Sequence, residues 1–231
     1  LLGLAVMTQD TSIPDHVATR PADRMSEQWW KDRHNNAVEV TKAGNVDIVF
    51  LGDSITQGWE STGKATWDRL YASKRVGNFG FSGDRTEHVL WRLDNGEIIG
   101  LRPRLIVIMI GTNNVGHGSS TPAQTIDGTR AIVARLRKDV PRAKILLLGI
   151  FPRGEEPNDP MRQKVVEATE GYKALADGKN VVFLDISRAF TYADGRLKTL
   201  LMPDRLHLSP GGYDIWAQAM DPTIQRMLAG H

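Results

Sequence analysis

The chain has 231 residues, 41% of them hydrophobic and 24% charged, close to the average of globular proteins and long enough to bury a sizeable core. Its 29 Lys and Arg against 27 Asp and Glu leave a formal charge of +2, without the basic stripe that nucleic-acid binding leaves, and no apolar run approaches the roughly 20 residues needed for stable membrane insertion. Cysteine is absent, which excludes disulfides, thiolate metal sites and a cysteine nucleophile.

The first residues, Leu1-Leu2-Gly3-Leu4-Ala5-Val6, read as the tail of an export leader's apolar region. That leans the location slightly towards secreted or periplasmic, with the cytoplasm as the alternative. Residues 1–22 form an extended lead-in, and residues 23–231 are expected to make one domain. A helical stretch over 23–43 (RMSEQWWKDRHNNAVEV and its flanks) is stopped by Gly44. Val46 to Leu51 then reads as a short buried strand.

The alternation repeats along the chain. A helix over 64–71 precedes a strand over 76–79, and a helix over 84–95 precedes the run LIVIMI at 105–110, the strongest buried-strand signal. Thr121 with Pro122 opens a helix reaching about Val140. A strand over 144–150, a helix over 161–176, a strand over 181–184 and a last helix over 210–228 complete the pattern. Five apolar strands separated by helices predict an α/β fold: a three-layer α/β/α sandwich on a five-stranded parallel sheet. By analogy the strand order is flavodoxin-like.

In such a sheet, ligands bind outside the carboxyl ends of the strands. Four polar segments fall there: Gly52-Asp53-Ser54, Asn78-Phe79-Gly80-Phe81-Ser82-Gly83-Asp84, Gly111-Thr112-Asn113-Asn114 and Asp204-Arg205-Leu206-His207. Together they supply the parts of ester hydrolysis. Ser54 offers a hydroxyl, which needs a base to become a nucleophile. His207 is the candidate base, and Asp204 can hold its tautomer. The N–H groups of Ser54 and Gly83 and the side-chain amide of Asn113 would form an oxyanion hole. Singly, each has a plainer reading: Ser54 as a helix cap, Gly83 as a turn residue, Asn113 as a loop amide, His207 as a surface or packed histidine and Asp204 as a cap. Their order and convergence favour the catalytic reading.

The blocks GDSITQG, NFGFSGD, GTNN and DRLH resemble those of the SGNH (GDSL-type) hydrolases in order and spacing, over about residues 45–229. The family's Ser, Gly, Asn and His fall on Ser54, Gly83, Asn113 and His207, and its acid on Asp204. Within the family, NFGFSGDRTEHVLWRLDNGE, FPRGEEPN and DRLHLSPGGY are similar to the catalytic α subunits of platelet-activating-factor acetylhydrolases. The resemblance implies a flavodoxin-like esterase that removes short acyl groups, above all acetyl, without a cofactor, and makes a homodimer as plausible as a monomer. The long N-terminal helical stretch with Trp29-Trp30 departs from that pattern and makes acetylated carbohydrate the leading alternative to acetyl phospholipid. Lysophospholipase, thioesterase or arylesterase activity on the same scaffold is the nearest rival. A non-catalytic ligand-binding module is the rival from another class.

Around the triad, Ile55, Thr112 and Leu206 are candidates for narrowing the acyl pocket, Trp59 for a pocket wall, and Arg153 for meeting an anionic group of the small-molecule substrate. His34, His88 and His117 form no His-Glu-x-x-His or clustered set, so no metal is expected.

Overall fold

The computed structural model describes residues 12–229, and the apolar stretch Leu1 to Val6 lies outside them. The alternation read from the sequence folds as a five-stranded parallel sheet of order β2-β1-β3-β4-β5, formed by β1 (Ile48–Gly52), β2 (Val76–Gly80), β3 (Leu105–Met109), β4 (Lys144–Leu148) and β5 (Val181–Leu184). The register pairs Gly52 with Gly80 on one side and Met109 on the other. The strands carrying the first three polar blocks therefore end level with one another. The order reverses at β1, so the rim beside Ser54 is the switch point where α/β sheets take ligands.

Both faces of the sheet are apolar and both are covered. Alternate residues of β1 point to opposite sides: Val49 and Leu51 join one core, Ile48 and Phe50 the other. The first core is closed by α1 (Gln28–Ala43), α4 (Thr86–Asp94), α6 (Pro122–Asp139) and α7 (Pro160–Tyr172) through Trp30, Leu93, Ile132 and Val165. The second is closed by α3 (Lys64–Leu70) and α8 (Pro210–Ala229), with Trp67 partly buried and Trp216 fully so. Two short helices lie on the rim itself, α2 (Ser54–Gln57) and α5 (Thr112–Gly116).

Local chemistry fixes the helix ends. Thr121 Oγ1 accepts from the Gln124 N–H while the Gln124 side chain accepts from the Thr121 N–H, a reciprocal cap with Pro122 at the first position. Gly44, at φ 68°, ends α1 in the left-handed conformation. That helix starts at Gln28, later than the stretch over 23–43 suggests. The preceding residues instead cross the molecule: Thr86 Oγ1 donates to Ala18 O at 2.8 Å, and the Ala22 N–H to Glu87 O at 3.1 Å. Arg24 is drawn down to the buried Asp84 at 2.9 Å, which holds its neighbours out of helical register.

Candidate active site

Ser54 opens α2, one turn after β1. Asp53 caps that turn, its Oδ1 accepting the Ile55 N–H at 3.0 Å. The turn sits so close to the sheet that a Cβ on Gly52 would lie 2.4 Å from Met109 O and 2.3 Å from Thr56 Oγ1. Glycine is therefore a steric requirement there, not a convenience. Asn78 Nδ2 donates to Thr56 O at 3.0 Å from β2, and Tyr213 Oη donates to Ile55 O at 2.7 Å from α8. The serine is thus held by three separate elements.

Asp204 and His207 come from one turn just before α8. Asp204 Oδ1 accepts the N–H groups of Leu206 (3.0 Å) and His207 (2.6 Å), while Oδ2 accepts from His207 Nδ1 at 2.6 Å. With Nδ1 donating to the carboxylate, Nε2 is the acceptor nitrogen of the ring. It lies 3.0 Å from Ser54 Oγ, within reach for proton transfer. Partial burial works to raise the pKa of Asp204. The bonds from the His207 ring and from the two backbone N–H groups outweigh it and hold the carboxyl below its ordinary value. Arg205 makes the turn possible at φ 64°, the left-handed region. Its carbonyl accepts the Gly154 N–H at 3.2 Å, and its guanidinium bonds Glu155 at 2.9 Å. The turn is thereby tied to the loop after β4.

The third component is the turn after β2. Gly83 is at φ +75°, which a residue with a side chain rarely adopts. Among the described residues its N–H has no protein acceptor. Asn113 Nδ2 donates to Asp84 O at 2.9 Å, leaving a second amide proton. Gln57 Oε1 accepts the Ser82 N–H at 2.7 Å, linking this turn directly to α2.

Beneath it lies a buried ionic network that the sequence reading does not include. Asp84, fully buried, accepts from Trp30 Nε1 (2.8 Å) and Arg24 Nη1 (2.9 Å) at Oδ1, and from Arg92 Nε (2.9 Å) at Oδ2. Arg92, equally buried, also donates to Glu97, to Phe79 O and to Gly52 O. One guanidinium therefore ties the carboxyl ends of β1 and β2 to the turn bearing Gly83. A signal existed: Arg92 follows Val89 by three places, on the core-facing stripe of its helix, where an unpaired charge could not remain.

Asp53 is more than a letter of the Gly52-Asp53-Ser54 motif. It is fully buried, and its Oδ2 has no hydrogen-bond partner among the described residues. Burial pushes its pKa up to about 7, against the opposing Ile55 N–H bond and with the Asp84 charge adding to the rise.

The flanking residues divide. Leu206 is half-buried on the triad turn. Ile55 and Thr112 lie almost wholly beneath the rim. The expectation of a pocket wall at Trp59 is corrected: its ring is fully buried, packed 4.6 Å from Tyr213 and 4.9 Å from Trp216 in the second core. The turn Gly58–Glu60 rotates it inward, where Phe50 and Tyr71 complete the cluster. Arg153 is half-buried and donates to Thr112 O at 3.1 Å, bracing α5 from the loop after β4. Among the described residues no group of three or more His, Asp or Glu side chains could hold a metal ion, and no helix is long and apolar enough to cross a membrane.

A parallel sheet of this order brings a serine, a histidine and an aspartate together at its switch-point rim, an arrangement that fits an α/β hydrolytic enzyme. Residues 50–215 match the model of the GDSL-like Lipase/Acylhydrolase family, and the chain belongs to that family. It is 37% identical over 223 residues to the platelet-activating factor acetylhydrolase IB subunit alpha2 of Rattus norvegicus, covering 96% of this chain and 95% of that protein. To the alpha1 subunit of Homo sapiens it is 36% identical over 219 residues, covering 93% and 92%. Among solved structures, a GDSL-like lipase from Bacteroides thetaiotaomicron aligns with a TM-score of 0.69 at 21% identity, over 84% of this chain and 97% of that one. An acetylxylan esterase from Geobacillus stearothermophilus aligns at 0.62 and 23%, over 78% and 93%. These two establish likeness of fold. Family membership makes the chain an ester-hydrolysing enzyme acting on small-molecule esters.

Proposed function

We propose that this enzyme is a serine esterase that removes short acyl groups, acetyl foremost, through a covalent acyl-enzyme. The observation that supports the reading is the unbroken chain from Asp204 through the His207 ring to Ser54 Oγ, at 2.6 and 3.0 Å. Ser54 Oγ attacks the ester carbonyl carbon as its proton passes to His207 Nε2. The tetrahedral oxyanion is met by the N–H groups of Ser54 and Gly83 and by the free amide proton of Asn113. Collapse breaks the bond to the leaving alcohol, which takes the proton from His207. A water molecule then repeats the sequence, with His207 again as base, and releases the acid.

Two considerations support a short acyl group. The curated relatives at 36–37% identity bear the name acetylhydrolase. Leu206, whose own N–H is bound to Asp204, stands beside the base, where it would crowd a longer chain. Hydrolysis of p-nitrophenyl acetate, butyrate and octanoate by wild type and Ser54→Ala tests the proposal. Preference for acetate by the wild type and an inactive variant are expected. A variant retaining wild-type rates would remove Ser54 from the mechanism.

A further inference from the structure

The end of the sheet opposite Ser54 carries a charge pattern that the proposed chemistry does not use. The register pairs Ile48 with Val76 and Leu105, Leu105 with Lys144, and Ile145 with Val181. The amino ends of the five strands therefore lie nearly level. In sheet order, the residues at the level just before them are Arg75, Asp47, Arg104, Ala143 and Lys179. Arg142 lies one residue further out along its strand, and Arg102 two. Neighbouring strands are about 4.8 Å apart, so the row spans about 19 Å. The formal charge of the whole chain is only +2, yet basic residues far apart in sequence meet at this one pole.

The nearby carboxylates are committed, and several of the cations are not. Asp47 lies 3.6 Å from Arg75, Asp139 pairs with Arg135, and Asp177 Oδ1 accepts the N–H groups of Lys179, Asn180 and Val181. The side chains of Arg102, Lys138, Arg142 and Lys179 are exposed and have neither a hydrogen-bonded nor an ionic partner among the described residues. Helix ends explain only part of this. Lys138 sits in the last turn of α6, where a cation answers the helix dipole, whereas Arg102, Arg142 and Lys179 belong to no helix. Arg102 and Arg142 both line a cleft of about 380 Å³, between the lead-in to β3 and the turn from α6 to β4, together with the buried Leu101, Val140 and Ala143. Ile99, next in the chain to the cleft's Gly100, is 55% exposed.

This pole suits a charged surface better than a shaped partner. A protein interface needs an apolar centre, and among the described residues Ile99 is the one large apolar side chain exposed here. Single-stranded nucleic acid needs aromatic faces on which bases stack, and Tyr71, at this end, is buried. Exposed cations on long stems, held by no partner, suit a diffuse layer of negative charge, and one apolar side chain beside them can enter a headgroup region.

We propose that the amino-end pole of the sheet is a docking surface for an anionic lipid bilayer, with Arg102 and Arg142 as its uncommitted phosphate-binding groups. An enzyme docked in this way turns the carboxyl ends of its strands, and Ser54 with them, towards the solution.

The test sediments the full chain with sucrose-loaded vesicles of phosphatidylcholine, alone or mixed with phosphatidylglycerol. Binding is expected to the mixed vesicles only, and added salt should release it, because exposed charges are screened. Arg102→Gln combined with Arg142→Gln should weaken binding about 25-fold, about fivefold for each cation lost. Lys64→Gln combined with Arg196→Gln removes the same charge near the active-site end and should leave vesicle binding unchanged. Both double variants should keep the wild-type thermal transition and the wild-type rate on p-nitrophenyl acetate. If the first shifts its transition, Arg142→Gln alone takes its place, with a loss of about fivefold expected. Equal losses in the two double variants, or no binding to mixed vesicles at low salt, would overturn the docking surface. Tighter binding to duplex DNA or to polyglutamate than to the mixed vesicles would overturn it too, in favour of a nucleic acid or an acidic protein. The esterase reading is independent of all these outcomes and is decided by Ser54→Ala.

Discussion

At the scale of single residues, the rim separates groups that would do chemistry from groups that aim them. Asn113 donates one amide proton to Asp84 O and keeps the other, so its side chain is oriented before substrate arrives. Asn113→Ala should lower kcat by about 10²–10³, the usual effect of removing one preorganised oxyanion donor. A change of less than threefold would show that the oxyanion forms elsewhere. Asp204→Asn should lower kcat by about 10⁴, because an amide can fix the wrong imidazole tautomer while leaving the geometry intact. Leu206→Ala is expected to move the acyl-length profile from acetate towards butyrate, and an unchanged profile would exclude Leu206 from the acyl wall.

At the scale of elements, the rim depends on charges that never meet solvent. Arg92 joins the ends of β1 and β2 to Asp84 and Glu97. Arg92→Leu leaves Glu97 and one oxygen of Asp84 without their guanidinium, so it should cost about 3–5 kcal/mol in urea unfolding, the range for breaking a buried ion pair. A cost below about 1 kcal/mol would mean that water replaces the guanidinium. Strands β1, β3 and β4 were legible in the sequence because each is a compact β-branched or leucine-rich run, almost wholly buried; the edge strands β2 and β5 are less buried and were read from their place in the alternation. The Val181–Leu184 strand falls on its predicted bounds. The one-turn helix at Thr112 escaped, since five residues carry no period to detect. Trp59 misled for a related reason: proximity to Ser54 in sequence says nothing about which way a short helical turn faces. The residues of the proposed triad were legible as types and spacing. The network under Gly83 was not, because its partners come from Arg24, Trp30, Arg92 and Glu97, brought together only by the fold.

At the scale of the whole molecule, two buried groups give stability opposing responses to pH. Asp53 titrates near 7 when folded and near 3.9 in an unfolded chain. Between those values the native state holds a proton that the unfolded state has released, so stability falls as pH rises through this window. His88 behaves in the opposite sense. Burial, and then the Arg85, Arg24 and Arg92 charges, push it down to about 3, against about 6.5 unfolded. The unfolded state then binds a proton that the native state refuses, and stability falls as pH drops from about 6.5 towards 3. The two slopes oppose each other over roughly pH 4–6.5. Asp53→Asn should therefore steepen the loss of stability towards acid relative to wild type. His88→Gln, which keeps an acceptor for the Arg85 N–H made at 3.0 Å, should show stability falling from about pH 4 to 7. Urea midpoints at half-unit pH steps measure both, and parallel curves for all three proteins would refute the assignment.

The turn from Asp204 to His207 has one more consequence, for redesign. Its acid and base are joined by bonds internal to four consecutive residues, and a single contact, His207 Nε2 to Ser54 Oγ, connects that dyad to the nucleophile. The turn is therefore a self-contained unit, attached to its surroundings through Gly154, Glu155 and Met202 and by the packing of Leu206 against the second core. Lengthening or shortening the neighbouring loop would slide an intact acid–base pair towards or away from the serine, giving an engineer a dial for proton-transfer distance that leaves the pair itself unaltered.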